Sequence, residues 1–378
     1  MRILVITYEL PPLGGGGGQA ALDIARALVQ RGHEVSIITS HFKGLAHNES
    51  LDKVQITRVF AGRRIKFKAG LITMALFVLS GTWKGWREIR NFQPDVIHVH
   101  FAVPSGPVAW LLSHITSTPY VLTAHLGDVP GGVPTKTNSW FRWIFPFTPP
   151  IWRDAWKVVA VSKFTRQLAM QSYPVDPIVI PNGVDLKLLD PGKIIAGEPP
   201  KILFAGRFDP QKNLIQLVNT LAELGDLPWT CTLIGDGAQR SEIEALVHKS
   251  HLENRFIFTG WVKPEEVIHE FAGGDILFMP SSSEGLPVVG VQALAMGLAF
   301  VVSMIGGFID LVENGHNGYL VNPKNPDEYK VSLKKLLTDR DLLQTYRYAS
   351  RKKAQNFEIK NVARSYEEIF ISCKKQDR

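Results

Sequence analysis

"RILVITYELPPLGGGGGQAALDIARALVQRGHEVSIIT", residues 2–39, decides how the chain folds. It opens on a β-branched run, "RILVIT" (2–7), the composition of a strand buried on both faces. After the glycines, Ala21, Leu22, Ala25, Leu28 and Val29 recur at helical spacing and Gly32 stops the helix. A second apolar run, "EVSIIT" (34–39), follows. Strand, glycine-rich turn, helix and strand make one βαβ unit of a doubly wound parallel sheet.

The five glycines, Gly14 to Gly18, sit where βα connections are short and packed, which disfavours a flexible linker. A loop leading into a helix presents unpaired N–H groups and the positive end of the helix dipole. Glycine lets an anion reach that backbone, so a phosphate is the expected ligand. A dinucleotide fingerprint can be laid over Gly15, Gly17 and Ala20. The second strand, however, runs on into "IITSHF" without the carboxylate that would hold a ribose. No Gly-Lys-Ser/Thr follows either, so the P-loop fails. A nicotinamide-dependent dehydrogenase is thereby weakened, and another phosphate ligand is favoured.

The same alternation continues outward. Further strands are expected at 54–60, 95–101, 120–125, 157–162 and 177–182. Residues 186–200, "LKLLDPGKIIAGEPP", carry two Gly and three Pro and read as a linker. A second series follows at 201–206, 230–235, 256–260, 275–280, 299–304 and 318–321, with a helical tail from 325 to 374. The fold class is therefore α/β: two doubly wound parallel-sheet, Rossmann-like domains facing a cleft. Their expected bounds are 1–190 and 191–357.

The 378 residues carry a net charge of +7 and two cysteines, Cys231 and Cys373, which excludes a disulfide framework and fits a reducing compartment. No secretory signal is expected at the N-terminus. The charge is uneven: residues 1–190 hold 20 Lys and Arg against 12 Asp and Glu, while 191–378 hold 22 against 23. Arg58, Arg63, Arg64, Lys66, Lys68, Lys84, Arg87 and Arg90 bracket the apolar run 69–81 and face one acid, Glu88. That run is too short to span a bilayer, which takes about 20 residues. Its flanks suit an element lying on an anionic membrane. No nucleic-acid motif accompanies the charge. Trp140, Trp143, Phe145, Phe147, Trp152 and Trp156 crowd 139–156, and their number favours an exposed role on sugar or lipid. His98 and His100 share one face of a strand without a third ligand nearby, and core or cleft-edge histidines are favoured over a metal pair.

In the second half, "FAGRFDPQKNL" places Arg207 just past a strand and Lys212 five residues on. Guanidinium and ammonium together at the carboxyl edge of a parallel sheet suit a diphosphate. "SSSEGLPVVGVQALAMG" (281–297) carries Glu284 in a loop of small residues, Pro287 expected at the first helical position, and Gln292 a little over two turns beyond Glu284.

These motifs, in order with "LVQRGHEV", "DVIHVH", "TAHLGD", "VIPNGVD", "LIGDG" and "IGGFIDLVENGHNGYLV", resemble glycosyltransferase family 4, the retaining enzymes of the GT-B fold. The resemblance implies transfer of a hexose from a nucleoside-diphosphate sugar to an acceptor hydroxyl, in bacterial polysaccharide, glycolipid or lipid-linked glycan synthesis. It implies that Arg207 and Lys212 hold the diphosphate and that Gly15 and Gly16 close over the donor. His125 and Glu284 would then meet the transferred sugar, with the backbone of Gly285, Leu286, Pro287 and Val288 alongside. It implies no cofactor and no metal, and a last helix, 358–378, that packs back on the N-terminal domain. A cytoplasmic protein peripheral on the inner face of the plasma membrane is expected. Two positions depart from the family: Gln292 stands where a ribose-gripping Glu is usual, and Asp310 where Glu is usual. Gln292 motivates the alternative of a non-catalytic or specialised nucleotide-sugar-binding protein. An epimerase or sugar phosphorylase on the same fold is disfavoured by the motif order.

Overall fold

The computed structural model describes residues 1–65, 70–133 and 141–375. The chain divides into two compact units, Met1–Gly183 with Ile359–Arg378, and Val184–Glu358.

The first unit is built on β1 (Arg2–Thr7), β2 (Glu34–Ser40), β3 (Asn48–Leu51), β4 (Val54–Val59), β5 (Val96–His100), β6 (Tyr120–Ala124), β7 (Lys157–Ala160) and β8 (Ile178–Val179). The order across the sheet is β3-β4-β2-β1-β5-β6-β7-β8. Every pair is parallel except β3 with β4. Ile3, Leu4, Val5 and Ile6 of β1 are fully buried, as a central strand covered by helices on both faces must be. One cover is the Gly16–Gln30 helix, which buries Leu22, Ile24, Ala25 and Leu28. Beside it packs the Ile359–Lys375 helix. Its Ile359, Val362, Ala363, Tyr366, Ile369, Phe370 and Cys373 recur at helical spacing and join the same core. Each large apolar side chain so covered contributes ~2 kcal/mol. An ion pair of Glu367 with Arg31 and a hydrogen bond from His33 Nε2 to Glu367, 2.8 Å, fasten the rim of this contact.

The second unit has β9 (Lys201–Ala205), β10 (Thr230–Ile234), β11 (Phe256–Gly260), β12 (Ile276–Met279), β13 (Ala299–Ser303) and β14 (Gly318–Val321), all parallel, in the order β11-β10-β9-β12-β13-β14. In both sheets the chain reverses direction of travel beside the first strand, at β1/β5 and at β9/β12. Loops leaving the carboxyl ends diverge there and open a crevice within the unit, the usual ligand position of an open α/β sheet.

Four expectations change. Residues 186–200 are stitched onto the second unit rather than hanging free between units. The Ala196 N–H donates to Gln344 and the Gly197 N–H to Asp275, while Arg347 and Arg351 donate to the carbonyls of Ile195, Leu186 and Leu189. The division accordingly falls at Gly183/Val184, ahead of 190/191. The glycine run is mostly helix: Gly15 is the N-cap and Gly16, Gly17 and Gly18 form the first turn. Pro287 is the N-cap of the Val288–Ala295 helix, one place earlier than expected. The aromatic stretch splits between roles. Trp152 is buried and stacks on Tyr173 with ring centroids 4.2 Å apart, Trp143 and Phe147 are exposed, and Trp140 lies outside the described residues. No helix among the described residues is long and apolar enough to cross a membrane.

Candidate functional site

In the second unit the loops after β9 and β12 are joined side chain to backbone. Phe208, fully buried, anchors the first loop. The Phe208 N–H donates to the Asp236 carbonyl at 2.9 Å. A Cβ on Gly235 or Gly237 would stand 2.0 or 2.4 Å from the carbonyl oxygens of Gly206 and Phe208, so this approach requires glycine on the neighbouring loop. A 3-10 turn, Pro210–Lys212, then carries the chain toward the β12 loop. The Ser282 N–H donates to the Gln211 carbonyl at 2.8 Å, and Gln211 Nε2 returns a bond to the Ser283 carbonyl at 2.7 Å.

These bonds bring Lys212 to Glu284. Lys212 Nζ donates to Glu284 Oε1 at 2.6 Å, with the two side chains 16% and 6% exposed. The backbone under Glu284 is fixed from the other side. The Gly307 N–H donates to the Glu284 carbonyl at 3.2 Å, and a Cβ on Gly306 or Gly307 would overlap the Glu284 or Gly285 oxygen at 1.7 Å. Arg207 is exposed and makes no side-chain hydrogen bond or ion pair among the described residues. Of the two cations, Lys212 is neutralised in place and Arg207 is not. Lys212 has two more N–H donors than Glu284 Oε1 uses, and Glu284 has a second oxygen. The cluster can therefore meet an anion and a hydroxyl-bearing ligand together. Gln292 is half-buried, and its side chain makes no hydrogen bond among the described residues.

In the first unit the ends of β1, β5 and β6 meet. The Gly15 N–H donates to Glu9 Oε2 at 3.2 Å, so a carboxylate already lies on the amino end of the Gly16–Gln30 helix. Within the first turn, a Cβ on Gly17 would lie 2.6 Å from the Phe101 ring and 3.2 Å from His125 Nδ1. Phe101 stacks on His125, ring centroids 4.4 Å apart. The backbone N–H of His125 donates to Asp128 Oδ2 at 2.8 Å, which fixes the turn that follows β6. His125 Nε2 lies 3.3 Å from His100 Nδ1, one nitrogen donating to the other. Behind them His98 Nε2 meets Thr123 Oγ1 at 2.9 Å, and Thr123 meets the Tyr366 hydroxyl at 3.0 Å.

All three histidines are buried, and burial opposes the imidazolium form. It pulls His98 down to about 3 and His125 to about 4, and holds His100 well below its ordinary value, with the neighbouring rings adding to the effect for His98 and His100. They are neutral hydrogen-bonding groups near neutral pH. The expectation of core or cleft-edge histidines at 98 and 100 describes their burial but missed the contact with His125. Part of the signal was present: residues two apart on a strand share a face, and the strand paired with β5 ends at Ala124, directly before His125. Among the described residues no group of three or more His, Cys, Asp or Glu is arranged to hold a metal ion.

Two family models match the chain in succession, Glycosyltransferase Family 4 over residues 14–188 and Glycosyl transferases group 1 over 189–353. An uncharacterized glycosyltransferase of Methanocaldococcus jannaschii is 27% identical over 361 residues, covering 90% of each chain. The 2-deoxystreptamine glucosyltransferase of Streptomyces kanamyceticus is 28% identical over 350 residues, covering 84% of this chain and 88% of its own. Among solved structures, sucrose-phosphate synthase of Thermosynechococcus elongatus superposes with a TM-score of 0.85 at 22% identity over 98% of both chains. Anabaena HepE in complex with UDP-glucose superposes with 0.77 at 21% identity, over 98% of this chain and 100% of that one. With both halves matched in order and two parallel-sheet units in place, the chain belongs to the glycosyltransferases of the family 4 kind and has their two-domain, Rossmann-like GT-B fold.

Proposed function

We propose that the protein transfers a hexose from a nucleoside-diphosphate sugar to an acceptor hydroxyl with retention at the anomeric carbon. The observation that carries this reading is the Lys212–Glu284 pair at the switch point of the second sheet, with Arg207 exposed and uncompensated on the same loop as Lys212. HepE, a structural relative, holds UDP-glucose. In our reading Arg207 and Lys212 take the diphosphate, and Glu284, through the oxygen not given to Lys212, accepts from a sugar hydroxyl. The backbone of Gly285, Leu286, Pro287 and Val288 lies along the same ligand, and Gln292 meets the ribose.

The glycosidic C–O bond breaks toward the diphosphate, whose growing negative charge the two cations stabilise where it develops. The acceptor oxygen bonds to the same face of the anomeric carbon and gives its proton to the departing phosphate oxygen. In our reading the transfer requires no metal and no cofactor. His125, kept neutral by burial, can give or take a hydrogen bond but carries no charge. The acceptor is a growing polysaccharide or a lipid-linked glycan.

Incubating the purified chain with a panel of UDP-, GDP- and ADP-sugars tests this. Release of nucleoside diphosphate with an α-linked product from an α-linked donor is expected, and a β-linked product overturns retention. The Gln292 substitution favours one second reading, a protein that binds the donor without turning it over. Tight donor binding with no turnover on any soluble or lipid acceptor would establish it.

A further inference from the structure

We propose that the outward face of the Leu71–Phe92 helix docks the protein on an anionic lipid surface. The helix is two-faced. Phe77, Gly81, Gly85 and Ile89 are buried, and the two glycines let Val108 and Leu112 of the Ser105–Thr116 helix approach closely. On the opposite side Ile72, Leu79 and Trp83 recur at helical spacing, 78%, 70% and 60% exposed. The same stripe then changes character: Arg87 and Arg90, both exposed, continue it through the last two turns.

Phe60 widens the apolar half. It is largely exposed, and the Ser80 hydroxyl donates to its carbonyl, which holds this segment against the helix. Phe60, Ser80, Trp83 and Lys84 line a common groove. Trp83 sits at the boundary of the two halves, with the Arg87 guanidinium over its ring, 4.7 Å from the centroid. Arg90 lies likewise over Trp86, at 3.9 Å. An apolar wedge, an amphipathic ring at the boundary, and cations stacked flat behind it match the depth profile of a bilayer surface. There acyl chains, the headgroup boundary and lipid phosphates follow one another within a few ångströms.

Charge decides between the candidate occupants. A second copy of the chain would meet this face through a two-fold contact, setting the patch against itself. Arg87 and Arg90 would then face their own kind, with Glu88 the one acid on this stretch of helix and already 3.8 Å from Lys84. A lipid phosphate layer answers those cations without repulsion. The inference rests on this face alone and holds whatever donor the second unit takes.

Flotation of the full-length chain with vesicles of phosphatidylcholine mixed with phosphatidylglycerol, against phosphatidylcholine alone, tests it. Partition to the anionic vesicles that falls as salt rises is expected. Arg87→Gln with Arg90→Gln lowers it about 25-fold, roughly fivefold for each cation near the surface. Leu79→Ser and Trp83→Ser each lower it about tenfold. All four side chains are exposed, so the melting temperature stays put and separates lost docking from lost folding. Equal partition to neutral vesicles, or partition unchanged in these variants, overturns the proposal. So does a concentration-dependent dimer in sedimentation that Leu79→Ser abolishes.

Discussion

Replacing Lys212 by Met keeps the length of the side chain and removes its charge, leaving Glu284 with a carboxylate whose side chain is 6% exposed. Removing one partner of a fully buried ion pair costs about 3–5 kcal/mol, because the remaining charge is stranded. Lys212 is 16% exposed, so some water reaches the gap and the lower end applies, about 3 kcal/mol. For a unit of this size 1 kcal/mol moves the midpoint by about 2–4 °C. The transition of Val184–Glu358 should therefore fall by about 6–12 °C in differential scanning calorimetry. Lys212→Met combined with Glu284→Leu removes both charges and should return to within about 1 kcal/mol of the parent, since an apolar pair of similar volume replaces a buried ion pair at little cost. A single variant as stable as the parent, or a double variant no better than the single, refutes the reasoning. The contact would then be too wet to matter.

Arg207→Ala should lower transfer at least tenfold, read as initial rate, while leaving the melt unchanged, because the side chain is exposed and unpaired. Gly17→Ala gains about 1 kcal/mol of helix propensity but drives a methyl to 2.6 Å from a Phe101 ring already stacked on His125. Overpacking of this kind costs about 2 kcal/mol, so the net effect is a fall of a few degrees in the first unit's melt. Stability should also fall as pH drops below the ordinary histidine value near 6.5. Down to about 4 for His125 and about 3 for His98 the unfolded chain takes up protons that the folded chain refuses. Each such group contributes a slope of about 1.4 kcal/mol per pH unit, and His98→Asn should flatten the curve measured by urea titration at stepped pH. Gln292→Glu should tighten nucleoside diphosphate binding about fivefold in calorimetric titration, the difference between a neutral and a charge-assisted hydrogen bond.

Thirteen of the fourteen strands among the described residues are legible from their apolar or β-branched composition, most clearly those covered on both faces, where no polar alternation blurs them. The exception is β3, "NESL", whose four residues are all exposed. Nothing in its composition asks for a strand. It exists because Asp52 and Lys53, at φ 51° and 68°, turn the chain back onto β4, and neither residue announces such a turn as Asn-Gly would. Arg207, Lys212 and Glu284 are visible as residues in motifs. That Glu284 would be spoken for by Lys212 depends on two loops that the sheet order, not local sequence, makes neighbours. The His100–His125 contact was half-visible: the shared face of His98 and His100 can be read locally, but its meeting with the loop after β6 depends on sheet order.

The return of residues 359–375 to the first sheet has a consequence during synthesis. The chain leaves that unit after Gly183 and re-joins it at Ile359, so the ribosome makes the whole of the second unit before the final cover for the first exists. At about 5–20 residues per second, this interval lasts on the order of ten to thirty-five seconds. Throughout it, the surface later covered by Tyr366 and Phe370 stays open to solvent while the later-made unit is free to finish. The nascent protein therefore matures in the reverse of its reading order, and chaperone binding on stalled ribosomes should concentrate on the half that was made first.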